Sequence, residues 1–408
     1  MSEGFMYEPK RFESAPPSGN PVDFSIVLGG PLFQVLRRAH LSNDALTLVR
    51  QRIVAFALLT WMPLLVLSAV EGHLWGDGAA VPFLKDMEVH ARFLLIVPLL
   101  IIAELAVHRR IRPLPQQFLD RRLIPDDARP RFDAAITSAL RLRNSMLAEA
   151  LLLAFVYSVG IFVIWRQYVT LDTSTWYATP GAGGLEPSWA GRWYGWVSMP
   201  IFQFLLCRWY FRLFIWARFL WQVSRLDLRL VPTHPDRVGG LSFLSETAIA
   251  FSMLAVAHGA MVAGPLAGRI FFLGAKLTQF KGEIALVVVA VLCLALGPLL
   301  VFAPRLLEAK WKGLIEYGAL AESYVREFDT KWLRRPPPPD ETLLGSADIQ
   351  SLADLGNSYE VVHSMRIAPI TNMAVIGVVT ATLLPISPLL LTVMPFEELL
   401  KMLTSLLF

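Results

Sequence analysis

The sequence predicts an all-α fold: a polytopic transmembrane helical bundle of about seven spans with a cytoplasmic helical hairpin. Three observations carry this. Charge makes up only 17% of the 408 residues, against 55% hydrophobic, and it is nearly absent from several blocks of about 20 residues, the length a helix needs to cross a bilayer. The basic residues between these blocks fall on one side of the membrane. Two further amphipathic segments follow the sixth block.

The blocks run in order. The first reads Ile53 to Val70 and the second about His90 to Val107. The third covers Leu147 to Trp165, and the fourth starts near Trp193 and continues past Cys207. The fifth is about Phe243 to Leu266, the sixth Ile284 to Ala303, and the seventh about Asn372 to Met394. Backbone groups in hydrocarbon must be bonded internally, so continuous apolar runs of this length read as helices. The alternating ten-residue segments of a membrane β-barrel are missing.

Loop charge sets the orientation. The N-terminal segment and the loops after spans two, four and six hold 29 of the 37 lysines and arginines, which places that side in the cytoplasm. The expected organisation is therefore a cytoplasmic segment 1–50, a membrane domain 51–303 with a basic loop 109–146, a cytoplasmic helical hairpin 304–367, and a seventh span with an amphipathic tail over 368–408. The N-terminus is cytoplasmic, the C-terminus external, and the location an inner membrane. The polar first 20 residues are no cleavable signal. The pI near 9.1 follows membrane sidedness, so nucleic acid is not an expected partner. Cys207 and Cys293 both fall inside apolar blocks, which argues against a disulfide framework.

Individual elements follow from local pattern. Phe24 to Leu41 mixes apolar residues with Arg37, Arg38 and His40. It reads as a helix lying on anionic inner-leaflet lipid, or packed on the cytoplasmic part. Trp176, Trp189, Trp193 and Trp196 mark an external aromatic belt, and Pro180 to Gly184 reads as a turn. Leu307, Trp311, Leu314, Gly318, Ala321, Val325, Phe328 and Trp332 form a heptad seam, bounded by Pro304 and by prolines 336–339. A helix from Ser346 to about Met365 pairs with it. The seam packs either within the chain or between subunits, with Trp311, Gly318, Phe328 and Trp332 as the oligomer candidates. The tail after span seven reads as an interfacial helix, or as the return arm of a re-entrant hairpin broken at Pro385 and Pro388.

Candidate chemistry rests on ionisable residues at membrane depth: Glu104, His108, Glu149, the pair Arg208 and Arg212, Glu246, and His258 deeper in span five. Such residues are costly in a membrane and often mark pathways. The plainer alternative is arginines reaching the interface beside a structural ion pair. His258 reads as a packing residue or a proton relay. Ala260, Gly264 and Gly268 form a small-residue ladder for close helix contact. His234 and Asp236 in the span four–five loop are two candidate ligands, too few for a metal site, in what reads as a tight turn. No metal or cofactor is expected, and nucleotide, zinc-protease and hydrolase motifs are absent. The leading expectation is a homo-oligomeric pore or transporter for an ion or small solute. A membrane scaffold or sensor with cytoplasmic partner-binding helices is the alternative, and a lipid-modifying enzyme using His234, Asp236 or Glu104 stands third.

Overall fold

The structure is a computed structural model that describes residues 24–38, 48–75, 81–159, 175–181, 184–335, 342, 343 and 345–393. Its helices are α1 (Pro31–Arg38), α2 (Val49–Val70), α3 (Met87–Asp120), α4 (Asp126–Arg143), α5 (Met146–Val159), α6 (Met199–Ser224), α7 (Ser252–Leu273), α8 (Leu277–Arg334), α9 (Ala347–His363) and α10 (Asn372–Leu383). Among the described residues the sheet is one antiparallel hairpin, Ala178–Gly181 with Gly184–Pro187. The fold is all-α apart from that hairpin.

Four helices are long and apolar enough to cross a membrane: α2, α3, α7 and α8. A fifth span is possible if α4 and α5, bent by 46° at their junction, count as one. α6 is long enough at 26 residues, but Arg208, Arg212 and Arg218 dilute its apolar character. α10 has only 12 residues, and a short 3₁₀ stretch, Ser387–Thr392, follows it. The far end of the expected third span, prolines 336–339 and the amphipathic tail lie outside the described residues.

Proline sets where the long helices change pitch. A π-helical stretch precedes Pro98 in α3 and another precedes Pro200 at the start of α6. A 3₁₀ stretch holds Pro298 in α8. Each proline lacks an N–H and crowds the carbonyl four residues back, so the ladder shifts rather than stopping. α8 runs through Pro304 as one helix of 58 residues, because proline near the start of the segment after the 3₁₀ stretch removes no required bond.

α7 is central and packs on α3, α8 and α10, while α6 lies along α4. The small-residue ladder packs over part of its length, and Ala260 is fully buried. Gly264 does face α3, where a Cβ would lie 2.9 Å from Ala91 Cβ, but Gly268 has open space. The tight contact is at Gly259, where a Cβ would lie 1.9 Å from the Thr382 carbonyl oxygen of α10.

Aromatic side chains close both ends of the bundle. At the arginine-rich end Phe118 meets Phe243 at 5.0 Å and Phe132 at 5.9 Å, and Phe219 meets Phe24 at 4.8 Å. At the other end Trp176 is fully buried and donates to Asp86 at 2.9 Å. Trp176 is thus a core residue and not part of a belt, because the carboxylate beneath it satisfies the indole N–H. Trp189 and Trp196 are exposed as expected.

These contacts predict an asymmetry between two glycines of one helix. Gly259→Ala should destabilise the detergent-solubilised protein by about 1–3 kcal/mol, the range for overpacking. Gly268→Ala should be neutral. Equal melting temperatures for the two variants would refute the α7–α10 contact.

Candidate functional site

Four helices deliver charged groups to one buried point. Glu104 sits two turns before the end of the apolar part of α3, and Glu149 in the first turn of α5, where a carboxylate also suits the helix dipole. Arg208 and Arg212 share one face of α6 at i,i+4 spacing. Arg52 comes from the first turn of α2. All five are at least nine-tenths buried.

Glu104 is the hub. Arg52 Nη1 donates to its Oε2 at 2.6 Å, while Arg212 Nη2 and Arg208 Nη1 lie 2.8 and 3.5 Å from its Oε1. Arg208 Nε also donates to Glu149 Oε1 at 3.2 Å. The Arg212 guanidinium lies 4.9 Å from the Trp209 ring centroid, which adds a cation–π contact. Three guanidinium groups therefore face two carboxylates. Arg52 Nη2 has no hydrogen-bond partner among the described residues.

A turn of the N-terminal segment completes the coordination. The Leu32 N–H donates to Glu149 Oε2 at 2.7 Å, and Arg208 Nη2 donates to the Gly29 carbonyl at 3.2 Å. The Gly30 N–H donates to Asn144 Oδ1 at 3.1 Å. Gly29 and Gly30 have φ of +133° and +88°. A Cβ on Gly30 would lie 2.8 Å from Glu149 Oε1, so both backbone angle and space demand glycine. Phe24, Ile26 and Val27 anchor the turn as fully buried residues.

The other expected residues separate. His108 joins the edge of this assembly: its Nδ1 lies 2.9 Å from Ser25 Oγ. That oxygen already accepts the Val27 and Leu28 N–H groups, so the hydroxyl proton goes to His108. Glu246 is exposed and takes no part. It begins a short helix, Glu246–Ala250, whose buried face carries Thr247, Ala248 and Ala250 instead. His258 lies elsewhere, between α7 and α6: its Nδ1 faces the Leu254 carbonyl at 2.7 Å, so Nε2 accepts from the Tyr210 hydroxyl at 2.9 Å. Both ring nitrogens are occupied.

The loop pair His234 and Asp236 forms a turn. Asp236 accepts from the N–H groups of Val238, Gly240 and Ser242 at 2.9–3.1 Å, and His234 Nδ1 lies 2.9 Å from its Oδ1. Burial would raise this carboxyl, but the three backbone donors and His234 hold it below the usual carboxylate range. Among the described residues no group of three or more metal-ligating side chains occurs.

The heptad seam splits. Trp332 is buried and donates to Asp348 Oδ2 at 2.9 Å, and Gly318 and Phe328 are half-buried. Trp311 is 60% exposed. α9 covers part of the seam, where a Cβ on Gly318 would lie 3.6 Å from Tyr359 Cε2, and reaches past it to Gly313, where a Cβ would lie 2.9 Å from Val362 Cγ1 and 2.7 Å from Pro232 Cβ. The absence of a side chain at Gly313 lets α9 approach beside the heptad line.

Chemically, the five-charge network holds charge without presenting it. Its carboxylates are consumed as acceptors of arginine and backbone donors. Sequence reasoning missed Arg52, the Gly29–Gly30 turn and Asn144. Depth alone could have found Arg52, since it lies at the inner end of its span as Glu104 does in the next. No family model, curated protein or solved structure matches this chain.

Breaking the hub should be worse than dismantling it. Glu104→Gln should cost about 3–5 kcal/mol in the detergent-solubilised protein, as expected when a buried charge loses its partner. Adding Arg52→Met should restore part of that loss. A single variant as stable as the parent, or losses that simply add, would remove Glu104 from the centre of the fold.

Proposed function

We propose that this chain is a self-associating membrane scaffold or sensor. In this reading it sits in an inner membrane with seven spans: α2, α3, α5, α6, α7, the first part of α8, and α10. The N-terminus and the α8–α9 pair lie in the cytoplasm and the C-terminus outside, as the distribution of arginine and lysine supports.

The observation that carries the proposal is an uncovered apolar stripe on α8. With α9 covering one face, Leu307, Trp311, Ile315 and Val325 remain 44–70% exposed. At about 100° per residue they share one face with Gly318. A stripe of this kind on a helix continuous with a span points at neighbours held in the same membrane, and a second copy presents the same stripe at the same height. The expectation of transport rests on the depth-matched charges. Those charges spend their bonding on one another and on the 24–32 turn, which supports a structural lock in each subunit rather than a conduit through it. Glu104 and Asp236 are likewise spent, on arginines and backbone N–H groups, which weighs against a lipid-modifying enzyme.

Two measurements test the proposal. Trp311→Glu with Ile315→Glu should reduce the mass of the detergent-solubilised particle to that of a monomer while membrane insertion persists. Wild-type proteoliposomes should pass potassium, chloride and phosphate no faster than protein-free vesicles. An unchanged particle mass defeats the self-association, and flux above background restores the transporter.

Sidedness has its own test, in a cysteine-free background. Cysteines at exposed Thr137 and Glu316 should resist a membrane-impermeant thiol reagent in intact cells, while one at exposed Lys85 should label. The reverse pattern would invert the topology.

A further inference from the structure

At the arginine-rich end two turns place arginine where the backbone calls for glycine. The described part of α3 ends in a Schellman motif: the Arg122 N–H donates to the Leu119 carbonyl at 2.9 Å and the Leu123 N–H to the Phe118 carbonyl at 3.0 Å. Arg122 occupies the left-handed position of that motif with φ +53°, usually a glycine or asparagine. In the loop between α6 and α7, Arg237 has φ +57° and donates its N–H to the His234 carbonyl at 2.9 Å. Among the described residues these are the two non-glycine positions with positive φ. The left-handed conformation costs an L-residue about 1–2 kcal/mol, and such strain tends to persist where a side chain is needed.

The two turns form one corner. Arg121 Nη1 donates to the Gly240 carbonyl at 3.3 Å, and the Arg229 N–H donates to the Leu123 carbonyl at 2.9 Å. Arg121 and Arg366 serve the corner internally: the first lies 4.8 Å from the Phe243 ring centroid, and the second donates to the Ile370 and Asp236 carbonyls. The side chains of Arg122, Arg229 and Arg237 are exposed and make no ion pair with the described carboxylates. Asp236, the nearest acid in the loop, is spent on three backbone N–H groups. Exposed Asp126 and Asp127 follow Leu123, so the attraction acts at short range rather than as a long-range field.

We propose that Arg122, Arg229 and Arg237 bind the phosphate of anionic lipid headgroups. The corner adjoins the Phe118–Phe243–Phe302 layer that ends the apolar part of the bundle, which is headgroup depth. Guanidinium is the cation suited to paired hydrogen bonds with phosphate oxygens. This inference rests on the membrane reading but not on self-association, so either can fail alone.

The test uses the full chain in detergent and titrates phosphatidylglycerol, phosphatidylcholine and inorganic phosphate separately, reading bound lipid by native mass spectrometry and unfolding by thermal shift. The parent should bind phosphatidylglycerol and not phosphatidylcholine. Arg122→Gly and Arg237→Gly should each weaken phosphatidylglycerol binding about fivefold, the worth of one arginine at an anionic surface. Without lipid the same variants should melt at the parent temperature or above it, since glycine relieves the left-handed strain. Unchanged lipid affinity, equal binding of phosphatidylcholine, or a lower lipid-free melting temperature would each overturn the proposal. Equal saturation by inorganic phosphate would replace the lipid with a soluble anion and overturn it as stated.

Discussion

An ionised group at membrane depth is tolerated only when other groups of the protein replace its water. In this chain that constraint falls on Glu104, and much of the architecture follows from it. Three guanidinium groups from two helices converge on one carboxylate, which fixes the rotation of α2 and α6 against α3. Glu149 then binds the second face of Arg208, which fixes α5. The remaining lone pairs and donors draw in residues 24–32, and only two consecutive glycines let that turn approach closely enough. Arg52 Nη2 is left without a partner among the described residues, a residual cost that the surrounding packing has to carry.

The rest of the molecule is organised by shape more than by charge. Gly259 brings α10 against α7, and Gly313 brings α9 against α8, each by omitting a side chain that would collide with its neighbour. α8 joins the two regions. Its helical run does not end where its apolar sequence ends, so the α9 contact of Asp348 with Trp332 is made on the same rod that enters the bundle. The hydrogen bonds that hold α9 there, Lys331 and Trp332 on the Asp348 carboxylate, Tyr324 on the Asp348 carbonyl and Lys310 on the Met365 carbonyl, are partly exposed.

Reading depth along the sequence is enough to bring Glu104, Glu149, Arg208 and Arg212 to one level. It cannot say which way each helix turns, and so it includes Glu246, which faces out, and leaves Arg52 among the loop charges. The heptad pattern correctly marks a long amphipathic helix. It places Gly318 and Trp332 in the contact with α9 and misses Gly313, which lies off the heptad and carries no hydrophobic signal although α9 approaches it closely. The same blindness leaves Gly259 out of the Ala260, Gly264 and Gly268 ladder, although it is where α10 comes closest. Small residues announce that approach is possible; only the partner's position says where it happens. Trp176 departs from the expected belt for a related reason, since its half-buried acceptor Asp86 is 90 residues away.

The arginines that decide sidedness do two different kinds of work. Arg52, Arg208 and Arg212 spend their charge on Glu104 and Glu149 inside the bundle and leave one net positive charge there, so they impose less of the outward electrostatic bias on which the positive-inside rule depends. Setting those three aside leaves 26 basic residues on the proposed cytoplasmic side against 8 elsewhere. The bias therefore survives the removal of its buried members, and it is concentrated in surface groups such as Arg109, Arg110, Arg122, Arg229 and Arg237. Burying a charge and displaying one are opposite solutions to the same solvation problem. That both occur at one end of one bundle, within adjoining turns of α3, explains why a single basic end can be at once the most firmly bonded part of the membrane domain and its most exposed field.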